Sequence, residues 1–147
     1  MKGSFHYDIR ARCRIEDAVA LIADVPRLAS RHPLAVRTEE LPPVAGALRS
    51  TAITSRLRLG PFRWHITYRA DLLSRTEDRV LTVAHQRPRT TLTNDSRFSE
   101  EPDGITHISV DISYESPWPI FGFGFRQAQH AHRGLAQGIR ELLESGS

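Results

Sequence analysis

The sequence is poor in cysteine, in lysine and in long apolar runs, and each shortage removes a class of function. Cys13 is the only cysteine in 147 residues, so no internal disulfide can form and no zinc site of paired thiolates can be built. No apolar run approaches the roughly 20 residues that span a bilayer, and the opening residues MKGSFHYDIR lack the apolar stretch of a secretory signal. A cytoplasmic protein without integral membrane association is the expectation. Lys2 is the only lysine. The arginines alternate with apolar residues, Arg10, Arg12 and Arg14 with Ile9, Ala11 and Cys13, and Arg56 and Arg58 with Leu57 and Leu59. Alternation of this kind is the solvent face of a strand, so the net charge of +3 does not make a nucleic-acid patch. No glycine-rich phosphate loop follows a strand, because Gly122 and Gly124 lie inside a helical pattern. Neither a nucleotide nor any other cofactor is expected.

What is present is ordinary globular material. A hydrophobic fraction of 39% and a charged fraction of 25% suit one folded domain over residues 1–147. A chain of this length buries roughly 70% of its unfolded surface, enough for one sizeable core.

The dominant pattern is at the C-terminal end. Phe121, Phe125, Ala128, His132, Leu135, Ile139 and Leu142 recur at spacings of four and three, which predicts one long amphipathic helix from near Trp118 to about Glu144. Pro119 suits its first turn, where a missing N–H has no partner to lose. Gly122, Gly124, Gly134 and Gly138 each cost roughly 1 kcal/mol against alanine in a helix, and close backbone approach or reserved empty space would offset that cost. His130 and His132 cannot hold a metal together, since helical residues two apart point about 200° away from each other. No metal site is expected.

Ahead of this helix the chain reads mainly as strands. Phe5, Tyr7, Ile9, Ala11 and Cys13 alternate with polar residues, which predicts a half-buried first strand. Ala18, Val19, Leu21, Ile22 and Val25 suit a short helix with Glu16 and Asp17 in its first turn, stopped or redirected at Pro26. A second short helix is expected over Leu28 to Arg31, ended before Pro33. Strands follow over Leu34 to Leu41, Ala47 to Leu59, Phe62 to Leu72, Arg79 to Arg87, Thr90 to Ser99 and Thr106 to Tyr114, with a tight turn at Asp103-Gly104. Consecutive strands with short turns predict an antiparallel meander with one wet face. Strands of about ten residues run roughly 33 Å and a helix of about 25 residues roughly 37 Å, so one helix can cover the sheet.

This element order resembles the helix-grip fold of the START and Bet v 1-like superfamily, also called SRPBCC. The segment EDAVALIADVPRLASRHP from Glu16 to Pro33 is similar to its short helix, aspartate and tryptophan-histidine-proline turn, with Arg31 where tryptophan is common. The turn at Asp103 to Thr106, the run ISYESP from Ile112 to Pro117 and the leucine- and glutamate-rich helix end resemble the polyketide cyclase/dehydrase-like branch. The resemblance implies an α+β fold with a seven-stranded curved antiparallel sheet wrapped around the C-terminal helix, and two short helices after strand 1. It also implies a cavity for a hydrophobic small molecule. No shared catalytic motif comes with it.

Strand and helix phase supply the candidate lining. Tyr7, Trp64, Tyr68 and Tyr114 fall on apolar faces, His85 follows Leu81 and Val83, Asn94 and Ser96 share phase with Leu92 and Phe98, and Phe121, Phe125 and His132 lie on the helix stripe. So many polar groups inside must be satisfied by one another, by water or by a bound molecule, because each left unpaired costs about 1 to 3 kcal/mol. A cavity between the first half of the helix and the sheet, on the order of 300 to 1,000 Å³, is expected to be lined by Trp64, Tyr68, Tyr114, Phe121, Phe125 and His132, with Gly122 and Gly124 leaving its floor unfilled. If the protein is an enzyme of the polyketide cyclase type, His85 or His132 would exchange protons with the substrate. Arg69 is a weaker candidate, since it alternates to the face opposite Trp64 and Tyr68. Three functions remain open: binding of a hydrophobic small molecule such as a lipid or polyketide, cyclisation or aromatisation in the same cavity, and docking of a protein partner on a sheet edge.

Overall fold

The computed structural model describes residues 1–31 and 35–145, with the backbone alone at 58 and 59. Strand β1 (Lys2–Arg12) leads into helices α1 (Ile15–Ala23) and α2 (Val25–Ala29). Six strands follow: β2 (Ala35–Leu41), β3 (Arg49–Leu59), β4 (Phe62–Arg75), β5 (Arg79–Gln86), β6 (Thr90–Glu101) and β7 (Ile105–Glu115). Helix α3 (Trp118–Glu144) ends the described chain. The seven strands form one antiparallel sheet in the order β1-β7-β6-β5-β4-β3-β2. The first strand closes onto the last, and α3 lies along the concave face.

Local chemistry accounts for the joints. The three-residue turn before β7, Pro102–Gly104, places Asp103 at φ 69° and Gly104 at φ 73°, the left-handed region that aspartate and glycine enter most readily in tight turns. Helix α2 begins three residues earlier than its pattern suggested, because Pro26 does not separate the two helices. It sits in the first turn of α2, where proline loses no hydrogen bond, and Asp24 caps that turn by accepting from the Arg27 backbone N–H at 3.4 Å. The expected His32-Pro33 turn and the strand start at Leu34 lie outside the described residues.

The strands alternate as their sequence does. In β1 the odd residues from Gly3 to Ala11 face inward, and in β7 Thr106, Ile108, Val110, Ile112 and Tyr114 are all buried. Of these, Ile9, Ala11, Ile108, Val110 and Ile112 meet Ala18, Val19 and Ile22 of α1 and Leu135, Ile139 and Leu143 of α3 in the main core. Each fully buried Leu, Ile, Val or Phe contributes about 1.5 to 3 kcal/mol. Leu143, not Leu142, is the buried residue in the last turn of α3. A second, smaller cluster joins Val25 and Ala29 of α2 to Ile53 and Ala70 of β3 and β4. The two clusters do not merge. The space between them is the cavity.

Candidate ligand cavity

The cavity holds about 210 Å³, below the expected range, and lies between the concave face and the middle of α3. Its walls are mainly apolar: Ile22, Leu28 and Ala29 at one end, Ile53, Leu57, Ile66 and Ala70 on β3 and β4, Ala84 and Leu92 on β5 and β6, and Ala128, Ala131 and Leu135 on α3. Of the residues proposed from phase, Tyr68, Asn94, Tyr114 and His132 line it. Ser55, Thr82, Gln86, Thr90 and Gln127 add polar atoms that sequence reasoning missed. The signal for Ser55 was available, since it shares phase with Ile53 and Leu57.

The other proposed residues lie elsewhere. Phe121 and Phe125 do not line the cavity; they stack on each other at 5.2 Å between ring centroids and pack against Tyr114 at 5.7 and 6.0 Å. Phe5 meets Phe125 edge-on at 5.8 Å. This aromatic cluster fills the space under the first half of α3, which is why the cavity is small and displaced toward the helix middle. Gly124 makes the cluster possible, because a Cβ there would collide with the Tyr114 hydroxyl. Gly3 does the same on β1, where a Cβ would come within 2.8 Å of Phe121. Gly122 faces open space, so neither helical glycine leaves a pocket floor bare.

Trp64 is in the expected phase but 38% exposed and outside the cavity. Pairing of β4 with β5 begins at Arg69 and His85, so the outer part of the β3-β4 hairpin has no strand beside it there. His85 points to the convex face: Val80, Thr82, Ala84 and Gln86 are the inward residues of β5, as their partners Ser96, Asn94, Leu92 and Thr90 show. The strand is apolar on both faces, with Val80 and Ala84 on one and Leu81 and Val83 on the other, so the phase chosen from Leu81 and Val83 was the wrong one. Arg69 is convex as its phase required. Its Nε lies 3.1 Å from both oxygens of Asp71, which is 1% exposed. Asp71 also accepts from Ser50 Oγ at 2.8 Å, and His85 Nε2 stands 3.6 Å from it.

Inside, Tyr7 sits behind the cavity wall, its hydroxyl 2.7 Å from His132 Nδ1. Burial raises the pKa of both Tyr7 and Tyr68. Ser55 offsets part of the shift at Tyr68, although the two hydroxyls make no well-formed hydrogen bond. Both phenols therefore stay protonated at neutral pH and can donate. Asn94 Oδ1 accepts from Ser96 Oγ at 2.7 Å, and Thr90 Oγ1 donates to the Pro88 carbonyl at 2.8 Å. Ser55 Oγ is buried with no hydrogen-bond partner among the described residues. No group of histidine, cysteine, aspartate and glutamate able to hold a metal occurs among the described residues, and no helix there is long and apolar enough to cross a membrane.

No family model matches the sequence, and no curated protein matches it. Solved structures do match in shape. The di-domain aromatase/cyclase StfQ from the steffimycin biosynthetic pathway superposes with a TM-score of 0.75 at 13% identity, over 99% of this chain and 51% of that one. The present chain thus spans about half the length of that protein. A START superfamily protein from Mycobacterium smegmatis gives 0.68 at 11% identity over 95% of this chain and 98% of its own, and Ara h 8.0201 gives 0.64 at 11% over 95% and 98%. Element order, sheet topology and these superpositions together show that the chain has the helix-grip fold of the START and Bet v 1-like superfamily.

Proposed function

We propose that the protein binds a small, largely apolar molecule between the sheet and α3. One observation carries this reading: an apolar cavity of about 210 Å³ whose wall holds a buried hydroxyl, Ser55 Oγ, that makes no well-formed hydrogen bond among the described residues. Leaving such a group unsatisfied costs about 1 to 3 kcal/mol, and a ligand with one polar atom at that point removes the cost. The volume limits the guest. An apolar cavity of about 150 Å³ accommodates benzene, so this one suits a molecule of one or two rings rather than a long acyl chain or a tetracyclic polyketide. We place the protein in the cytoplasm, where its single thiol stays reduced.

Native mass spectrometry of protein purified gently from its own host tests the reading. A stoichiometric small-molecule adduct, lost on mild denaturation, is expected. Bare protein that also fails to take up any one- or two-ring compound would overturn it.

A second reading has one observation in its favour, the bond from Tyr7 to a histidine in the cavity wall. In that reading the protein acts on its guest as the aromatase/cyclase structural neighbours are named for doing, with His132 exchanging a proton and the Tyr7 hydroxyl holding its ring in place. His132→Gln would then abolish turnover while leaving substrate bound. Loss of binding and turnover together would count against it.

A further inference from the structure

The cavity shares part of its lining with a second depression that carries the opposite chemistry. Where the β3-β4 hairpin runs past the end of β5, an open notch of about 800 Å³ separates it from the β5-β6 turn. Ile66, Tyr68, Gln86 and Thr90 line both spaces. They form the shared wall between the apolar cavity and the notch.

The notch is cationic. Arg69, His85, Arg87 and Arg89 face it, with Glu115 the acidic residue on its wall. Two of these charges are already answered: Arg69 is held by Asp71 at 3.1 Å, and Glu115 by Lys2 at 3.7 Å. Arg87 and Arg89 have no acidic partner among the described residues, as is also true of Arg56 and Arg63, but they alone of these four lie on the notch. The turn that carries them is also unusual. Arg89 has φ 41°, a left-handed conformation that a bulky side chain seldom adopts.

We infer that the ligand is an amphipathic anion, a small ring compound bearing a carboxylate or a similar acidic group. Its rings lie in the cavity and its charge reaches the notch, against Arg87 and Arg89. This inference rests on the cavity being a binding site and adds the class of molecule. A planar guanidinium matches a carboxylate in a two-point geometry and gives shorter, stronger hydrogen bonds than neutral groups. The four shared residues set the two spaces side by side, and the proposal requires one molecule to pass between them.

Calorimetric titration with a matched pair, 2-naphthoate and its neutral amide 2-naphthamide, tests it. The wild-type protein is expected to bind the acid about tenfold more tightly than the amide, a difference of about 1.4 kcal/mol. The double variant Arg87→Gln/Arg89→Asn, with asparagine chosen because it tolerates the left-handed region, should lose that preference and keep its affinity for the amide. Arg56→Gln/Arg63→Gln removes the same charge away from the notch and should keep the preference. Equal binding of acid and amide by the wild type, or a preference that survives in the notch variant or vanishes in the Arg56/Arg63 one, would overturn the inference and leave the cavity reading standing. Binding of neither compound would overturn both.

Discussion

The Tyr7 hydroxyl and His132 Nδ1 stand 2.7 Å apart, so one hydrogen bond joins the first strand to the last helix across the concave face. Phe5 packs edge-on against the same imidazole at 5.7 Å. The arrangement makes His132 a structural residue as well as a cavity residue. His132→Phe fills a similar volume but strands the Tyr7 hydroxyl, so the ligand-free protein should lose about 1 to 3 kcal/mol of stability. Tyr7→Phe should cost less, and the double variant less than the sum of the two. Chemical denaturation of the four proteins checks this, and strict additivity would contradict it.

The two glycines near the start of α3 should respond in opposite directions. Gly122→Ala gains helix propensity with nothing in the way and should stabilise by about 0.5 to 1 kcal/mol. Gly124→Ala drives a methyl into the Tyr114 hydroxyl and should destabilise by about 1 to 3 kcal/mol. Tyr114→Phe in that background should restore much of the loss. Thermal melts of the three variants read the result directly.

Ser55 offers a test of whether the cavity polarity is kept for a guest. Ser55→Ala removes a buried hydroxyl that makes no well-formed hydrogen bond among the described residues and should raise the stability of the ligand-free protein by about 1 to 3 kcal/mol. The same change should weaken a guest with a polar atom and leave an all-hydrocarbon guest unaffected. A destabilised variant would show that the hydroxyl serves the fold.

On the convex face, His6 bridges Asp111 at 2.8 Å and Asp8 at 3.1 Å, and His107 reaches Asp8 at 2.7 Å. The hydrogen bond to Asp111, with help from Asp8, raises the His6 pKa above its ordinary 6.5. His107, then His6, holds Asp8 below its ordinary 3.8. The raised histidine contributes fully below pH 6.5 and loses its effect as pH climbs through its folded value. The depressed carboxylate contributes fully above pH 3.8 and loses its effect as pH falls through its folded value. The melting-temperature gap between wild type and His6→Gln should therefore be widest between these two limits and shrink on either side. It should be small throughout, because the pairs are exposed. A gap independent of pH would contradict the assignment.

Much of this architecture can be read from one-dimensional pattern. The alternation from Phe62 to Leu72 and the buried side of β7 both survive in the structure, because a strand with one wet face writes its register into every second residue. Helix α3 begins at Trp118 as its stripe and Pro119 required. The site was less legible, for reasons specific to each residue. His85 was misplaced because β5 is apolar on both faces. Trp64 was placed on the correct face, but no periodicity reports how far a hairpin extends beyond its neighbours. Gly124 was read as empty space when its function is to admit Tyr114, a contact between residues on different elements that no local pattern encodes. Nothing in the sequence singles out Arg87 and Arg89 of the β5-β6 turn, because the lack of an acidic partner among the described residues depends on which acids lie within reach in three dimensions.

The central claim is that a guest occupies the space between sheet and helix, and filling that space tests it. Ala84 lines the cavity from β5, and Ala84→Leu would project a larger side chain into it. Titration of 2-naphthamide into wild-type and Ala84→Leu protein, both shown to be folded by their melts, is the measurement. Saturable one-to-one binding to the wild type and at least tenfold weaker binding to the filled variant is the result the account predicts. Equal binding by the two proteins, or none by either, would contradict it.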